Sequence, residues 1–182
     1  MKRIFKMTNV SNAIFREYDI RGEYGKDLTP ETAELIGRAY AVYVRKTGLL
    51  KDPITVTVGR DVRLSSGALR DALIKGLTKS GVNCIDIGEC PTPLQYFSMH
   101  TLDVGGGVMI TGSHNPPEYN GFKVSIGKET IHGHEIQRLK GVINNECIGK
   151  PAPDADTGNV ETFDIITRYV DYVAGKFNLP KL

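Results

Sequence analysis

A hydroxyl, an imidazole and a carboxamide follow one another at Ser113-His114-Asn115, with Gly112 before them and Pro116-Pro117 behind, and Lys123 lies ten residues past the serine. Gly112 lets the backbone turn tightly and approach a ligand, while the two prolines stiffen the far side. A hydroxyl held in such a turn could act as a nucleophile or carry a phosphoryl group. Lys123, returning along the next strand, could neutralise an anion there. The plain alternative is an ordinary turn, because Ser, Asn, Pro and Gly are common turn residues. A second cluster, Phe15-Arg16-Glu17-Tyr18-Asp19-Ile20-Arg21-Gly22, sets a guanidinium beside a glycine, where its planar fork suits a phosphate. Taken alone, however, the cluster reads first as a local ion-pair network of Arg16, Glu17 and Asp19 on a solvated face. For the third cluster, Gly59-Arg60-Asp61, the first reading is a structural ion pair and the second a positioning role.

Other reactive side chains are less well placed. His114 beside Ser113 suggests a serine hydrolase, but neighbours in an extended segment point to opposite sides, so His114 is a poor base for Ser113. The Thr-Gly-Ser-His-Asn context also lacks a Gly-x-Ser-x-Gly elbow. His132-Gly133-His134 offers only two imidazoles and reads as a polar loop entering a helix. Three cysteines, Cys84, Cys90 and Cys147, without a Cys-x-x-Cys pair, argue against a disulfide framework and a zinc ribbon. They read as small buried thiols. Tyr40, Tyr43, Tyr96, Phe97 and Met99 fall on helical patterns and read as packing rather than sugar stacking.

The elements that must position these residues alternate between helix and strand. Thr29 caps a helix that starts at Pro30 and carries Ala33, Ile36, Tyr40, Tyr43 and Val44 on one face until Gly48. Ile54 to Val58 is an alternating β-branched run. A second helix starts at Ser65 or Ser66, with Leu69, Ala72, Leu73, Gly76 and Leu77 inward, and ends at Gly81. Val82 to Ile87 is a second strand, Pro93 to Leu102 a short helix, Gly107 to Ile110 a buried strand and Gly121 to Ile126 a fourth. Two more helices carry Ile136, Leu139 and Ile143, then Ile165, Ile166, Tyr169, Val170 and Val173. Helical crossovers favour parallel strands covered on both faces, whereas the loop between the third and fourth strands makes that pair antiparallel. The fold class is therefore α/β, a three-layer α/β/α domain with a small mixed, mostly parallel sheet. Residues 1–12 form an N-terminal extension, 13–148 the domain, and 149–182 a linker and C-terminal helix.

Composition narrows the partners. Lys and Arg total 23 against 21 Asp and Glu, and the net charge of +2 provides no basic field for nucleic acid. No stretch reaches the roughly 20 apolar residues of a membrane span. Polar residues from Lys6 to Asn12 also interrupt any signal-peptide core, so a cytoplasmic chain is the default.

Three motifs together resemble the alpha-D-phosphohexomutase family, its phosphomannomutase/phosphoglucomutase branch in particular. They are Tyr18-Asp19-Ile20-Arg21-Gly22, Gly59-Arg60-Asp61, and Thr111-Gly112-Ser113-His114-Asn115-Pro116 with Asn120-Gly121-Phe122-Lys123. The last is highly specific, and the likeness runs from about Ala13 to the C-terminus. It implies that Ser113 is the active-site serine that carries a phosphoryl group, with His114 and Asn115 in its loop. Lys123 would lie beside the reacting phosphate, with Arg21 and Tyr18 near the reacting centre. Such enzymes move phosphate between the 6- and 1-hydroxyls of a hexose through a bisphosphate, so the implied partners are a hexose phosphate and a hexose bisphosphate. The implied cofactor is Mg²⁺, held in part by Ser113 through its phosphate. The family's Asp-Gly-Asp-Gly-Asp-Arg metal loop and its later sugar- and phosphate-reading loops are absent from this sequence, and Asp154-Ala155-Asp156 lacks the flanking glycines. Downstream domains of the same protein are expected to supply them, and the 182 residues alone are expected to have negligible mutase activity. A non-catalytic phosphate-binding module is the rival outside enzymes. It would keep Arg21 and Lys123 but need no phosphorylatable hydroxyl.

Overall fold

Parallel β-strands in the middle of the chain require helical returns, and the computed structural model, which describes residues 10–152 and 157–177, lays those returns on both faces of one sheet. The strands are β1 (Ile20–Glu23), β2 (Thr55–Arg60), β3 (Asn83–Glu89), β4 (Gly106–Ile110), β5 (Tyr119–Ile126), β6 (Glu129–Thr130) and β7 (Val160–Thr162). The helices are α1 (Pro30–Lys46), α2 (Ser66–Thr78), α3 (Thr92–Thr101), α4 (His134–Val142) and α5 (Ile165–Ala174). In space the strands run β1-β5-β4-β2-β3-β7, with β6 beside β5. The β4-β2-β3-β7 half is parallel, and β1, β5, β4 and β6 pair antiparallel.

Strand alternation sorts the two cores. Val56, Val58 and Cys84 join Ile36, Tyr40, Leu73 and Leu139 in the larger core, under α1, α2 and α4. Thr57 points the other way and takes the Ser98 hydroxyl of α3 at 3.0 Å. Ile87, Leu94 and Ile165 form the smaller core there, under α3 and α5. The start of α1 follows its sequence signal, whereas Ser65 precedes α2 without a side-chain capping bond. Thr29 Oγ1 accepts the Thr32 amide at 3.3 Å with Pro30 at the first helical position, and Asp164 accepts the Thr167 amide at 3.0 Å ahead of α5. Helices α1 and α2 approach so closely that a Cβ on Gly76 would collide with the Glu34 carbonyl.

The mixed α/β/α architecture expected from the sequence is present. Its antiparallel part is larger than the four expected strands provide, because β1 and β6 both extend the sheet beyond β5. Strand β1 pairs Arg21 with Gly121 and Ile20 with Phe122. Four residues with two charges and a glycine carry no strand signal of their own, and the partner supplies it. Strand β7, exposed throughout, adds an edge beside β3 within the stretch read as linker and helix. The expected apolar face of α5 is only partly covered: Ile165 is buried, while Ile166, Tyr169, Val170 and Tyr172 remain exposed. Tyr40 and Tyr43 are buried as expected, and the Tyr40 hydroxyl donates to the Ser125 carbonyl at 3.0 Å. The three thiols are free and buried, with burial pushing Cys84 up to about 12 and Cys90 up to about 11. Asp154-Ala155-Asp156 and the residues before Val10 lie outside the described residues.

Candidate active site

Parallel pairing aligns the ends of β2 and β4, because Arg60 registers with Ile110. The two segments that leave them, at Asp61 and Thr111, therefore start side by side, and the Asp61 amide donates to the Ile110 carbonyl at 2.9 Å. This is the carboxyl edge of the sheet, where ligands of open α/β folds sit. From there residues 111–118 loop out and return as β5. Ser113 adopts φ 56°, a left-handed conformation unusual for a non-glycine residue. Its amide donates to Thr111 Oγ1 at 2.9 Å, and the Asn115 amide donates to the Gly112 carbonyl at 3.1 Å. Ser113 and His114 are exposed and Asn115 is half-buried.

The antiparallel half brings in the cations. Continuing the β1–β5 register one residue past Ile20–Phe122 sets Asp19 opposite Lys123, and Lys123 Nζ lies 3.9 Å from Asp19 Oδ2. Arg21 Nη2 forms an ion pair with the same carboxylate, and Arg21 Nη1 donates to Asn115 Oδ1 at 3.1 Å. A chain of contacts thus runs Asn115–Arg21–Asp19–Lys123 from the serine loop to β5. Arg21 Nε finds no acceptor among the described residues. The expected network of Arg16 and Glu17 with Asp19 is not what forms: Asp19 is buried and binds the two cations instead.

Other expectations divide. Arg60 and Asp61 do not pair with each other through their side chains. Arg60 Nη1 donates to Glu89 Oε2 at 2.8 Å, and Asp61 pairs with Arg63 at 3.2 Å. Burial works to raise the Asp61 carboxyl, but hydrogen bonds from Ser66, the Arg63 and Gly112 amides and Thr111 outweigh it and hold the group below its ordinary range. The idea that Ser113 and His114 must diverge fails, because the left-handed serine breaks strand alternation and sets Oγ 3.4 Å from His114 Nδ1. No carboxylate hydrogen-bonds the imidazole among the described residues, so the pair lacks a triad's third member. Tyr18 is exposed on the turn before β1 and its ring faces His132 at 6.4 Å, outside the hydrogen-bonded group. The buried Asn120 is structural: its Nδ2 donates to the Ser65 and Ser66 hydroxyls at 2.8 and 2.9 Å, tying β5 to the start of α2.

A cavity of about 730 Å³, bounded by Asp61, Arg63, Thr111, Ser113 and Asn115, opens beside the loop. Its size suits a small-molecule ligand. Arg21 and Lys123 do not line it and connect to it through Asn115. Arg63 is the residue that local sequence reading missed. Apart from Asp61, its acceptors are carbonyls some fifty residues away, and no spacing rule signals them.

No group of three His, Cys, Asp or Glu side chains among the described residues could hold a metal ion. Ser113 could supply one oxygen through a phosphate, which alone does not make a Mg²⁺ site. The described residues are therefore at most a part of such a site.

Fold and edge together define the class first: an α/β/α domain whose sheet presents a solvent-facing hydroxyl where two parallel strands end. The family model described as "Phosphoglucomutase/phosphomannomutase, alpha/beta/alpha domain I" matches residues 12–146, and the chain belongs to that family. It is 41% identical over 175 residues to a phosphoglucomutase of Neisseria meningitidis serogroup A, covering 96% of this chain and 36% of that protein. To a phosphomannomutase/phosphoglucomutase of Pseudomonas aeruginosa it is 41% identical over 176 residues, covering 97% and 36%. A phosphoglucomutase/phosphomannomutase family protein of Burkholderia thailandensis superposes with a TM-score of 0.83 at 37% identity, over 95% of this chain and 38% of that one. The chain thus spans 36% of the length of these curated relatives.

Proposed function

We propose that this chain is the nucleophile-bearing domain of a hexose-phosphate mutase acting on mannose or glucose phosphate. The carrying observation is the exposed Ser113 hydroxyl on a loop whose Asn115 accepts from Arg21, a cation that shares the Asp19 carboxylate with Lys123. The names of the relatives support the same reaction. In the first transfer a phosphoryl group on Ser113 Oγ passes to a sugar hydroxyl: the serine O–P bond breaks, the sugar O–P bond forms, and the hydroxyl proton leaves to a base. The resulting bisphosphate turns over, and Ser113 Oγ then takes the other phosphoryl group. Storing the group on the serine splits one isomerisation into two displacements. Phosphoryl transfer mainly demands positioning and stabilisation of negative charge. Arg21 and Lys123 provide the stabilisation, Asp19 fixes both cations, and Asn115 ties them to the loop. Tyr18 and His114, both exposed, contact the sugar phosphate. A Mg²⁺ ion, when bound, would neutralise phosphate charge, with Ser113 supplying one oxygen through its phosphate and the remaining ligands coming from outside the described residues.

In this reading residues 13–148 form the domain, which the family match over 12–146 supports, and residues 149–182 lead onward to further domains of a cytoplasmic enzyme. Among the described residues no helix is long and apolar enough to cross a membrane. The test is the intact mass of the complete protein purified from cells, followed by peptide mapping. One phosphate on the Ser113 peptide is expected, and Ser113→Ala should nearly abolish turnover. Turnover of that variant within a few-fold of the parent rejects the assignment. Modification of Ser113 by a serine-reactive phosphonate without sugar phosphate would instead favour a hydrolase, the reading that the 3.4 Å contact with His114 supports.

A further inference from the structure

We propose that Arg63 is the positioning residue of the serine loop, holding Ser113 in its left-handed conformation by gathering the loop's carbonyls around one guanidinium. This rests on the reading of Ser113 as nucleophile. Arg63 Nη1 donates to the Pro116 carbonyl at 2.6 Å and the Tyr119 carbonyl at 3.0 Å. Nη2 donates to the Ser113 carbonyl at 3.2 Å and the Asn115 carbonyl at 2.6 Å. Nε donates to Asp61 Oδ2 at 3.2 Å. Every N–H of the guanidinium is thereby used, four of them on one seven-residue stretch of backbone, and the side chain is only 14% exposed.

Two further observations fit this role. The first concerns Gly112, where a Cβ would stand 2.5 Å from Arg63 Nε and 2.8 Å from the Tyr119 carbonyl. The residue before the serine is bare so that the guanidinium can lie flat against the backbone. The second is the anchor. Asp61 binds Arg63 Nε while its carboxylate also accepts the Gly112 amide at 3.2 Å, the Arg63 amide at 3.1 Å and Ser66 Oγ at 2.5 Å. The guanidinium is therefore fixed to the start of α2, a rigid element, before it touches the loop. A left-handed serine persists only when its surroundings over-determine it. Here the restraints are the Arg63 bond to its carbonyl and the Thr111 bond to its amide. A lysine keeps the charge toward Asp61 but has three tetrahedral donors and cannot span four carbonyls.

Hydrogen–deuterium exchange on the 182-residue chain tests the device separately from any activity. In Arg63→Lys the amides of Gly112, Ser113, Asn115 and Tyr119 should exchange at least ten-fold faster while those of β2 and β4 hold. Unchanged loop exchange overturns the proposal. In the complete enzyme Arg63→Lys should lower kcat about 100-fold with KM within about three-fold, because misplacing a reacting atom by an ångström costs on that order. Gly112→Ala should reproduce the defect, and the double variant should be no worse than either single one, since both break the same contact. A kcat within three-fold of the parent, or multiplicative losses in the double variant, overturns it as well. If loop exchange quickens while the parent's activity survives Ser113→Ala, the mutase reading fails and the clamp stands.

Discussion

Asp19 carries two cations on one carboxylate, and that arrangement decides what each substitution nearby should do. Its side chain is 10% exposed and Arg21's 11%, against 24% for Lys123. Removing Lys123 leaves the Arg21–Asp19 pair intact, so Lys123→Ala should cost no more than about 1 kcal/mol of stability. In the complete enzyme it should still lower kcat by roughly 10²–10³-fold, the usual loss when one group stabilising transferring charge is deleted. Asp19→Ala is the opposite case. It leaves a buried guanidinium without its counter-ion, which costs about 3–5 kcal/mol, so stability falls as well as rate. Thermal melts beside steady-state kinetics check both. A Lys123→Ala protein that unfolds early would make the lysine structural. At this scale the sequence pointed to Ser113, Asn115, Arg21 and Lys123, and the structure links Asn115, Arg21 and Lys123 through Asp19 beside the loop that exposes Ser113. The sequence was silent on Asp19 as a bridge and on Arg63 as a clamp, because a partner across a sheet register or fifty residues away leaves no mark in the flanking residues.

Helices and strands follow the same division between local and distant information. Periodicity locates α1, α2 and α4 because each buries its stripe against the larger core, as Ala33, Ile36, Tyr40, Leu69, Leu73, Ile136 and Leu139 do. Strand β1 escaped that test because Ile-Arg-Gly-Glu is four residues with two charges and a glycine, and β7 because Val-Glu-Thr lies on an exposed edge. Distance between elements is likewise set by single residues. The α1–α2 crossing depends on Gly76, where an added Cβ would strike the Glu34 carbonyl and press on its Cα at 3.1 Å. Backbone on both sides leaves nothing flexible to give way, so Gly76→Ala should cost about 1–3 kcal/mol, as overpacking does, despite alanine's better helix propensity. For a chain of this length that is a Tm lower by about 3–10 °C. An unchanged or higher Tm would mean that the two helices are further apart than described.

At the scale of the whole molecule, folding and catalysis come apart. Two cores on the two faces of one sheet give this chain what an independently folding α/β/α unit needs, and β7 extends the sheet by one exposed edge strand beside β3. The site at the carboxyl edge is not equally complete. It has a hydroxyl, two cations held by Asp19 and an adjoining cavity, but no side-chain group fit for a metal and no second set of phosphate-binding cations beside that cavity among the described residues. On the proposed reading the enzyme must grip a bisphosphate at both ends while one end reacts, because binding of the non-reacting end supplies the energy that positions the reacting one. The 182-residue chain by itself should therefore fold cooperatively yet show less than about 1% of the complete enzyme's turnover, the direction expected when remote binding interactions are missing. A coupled assay with hexose 1-phosphate, hexose 1,6-bisphosphate and Mg²⁺ measures this directly. Full turnover by the chain alone would require the grip on both phosphates to reside in Arg21, Lys123 and the serine loop, and would shift the substrate-reading role onto the cavity between Asp61 and Asn115.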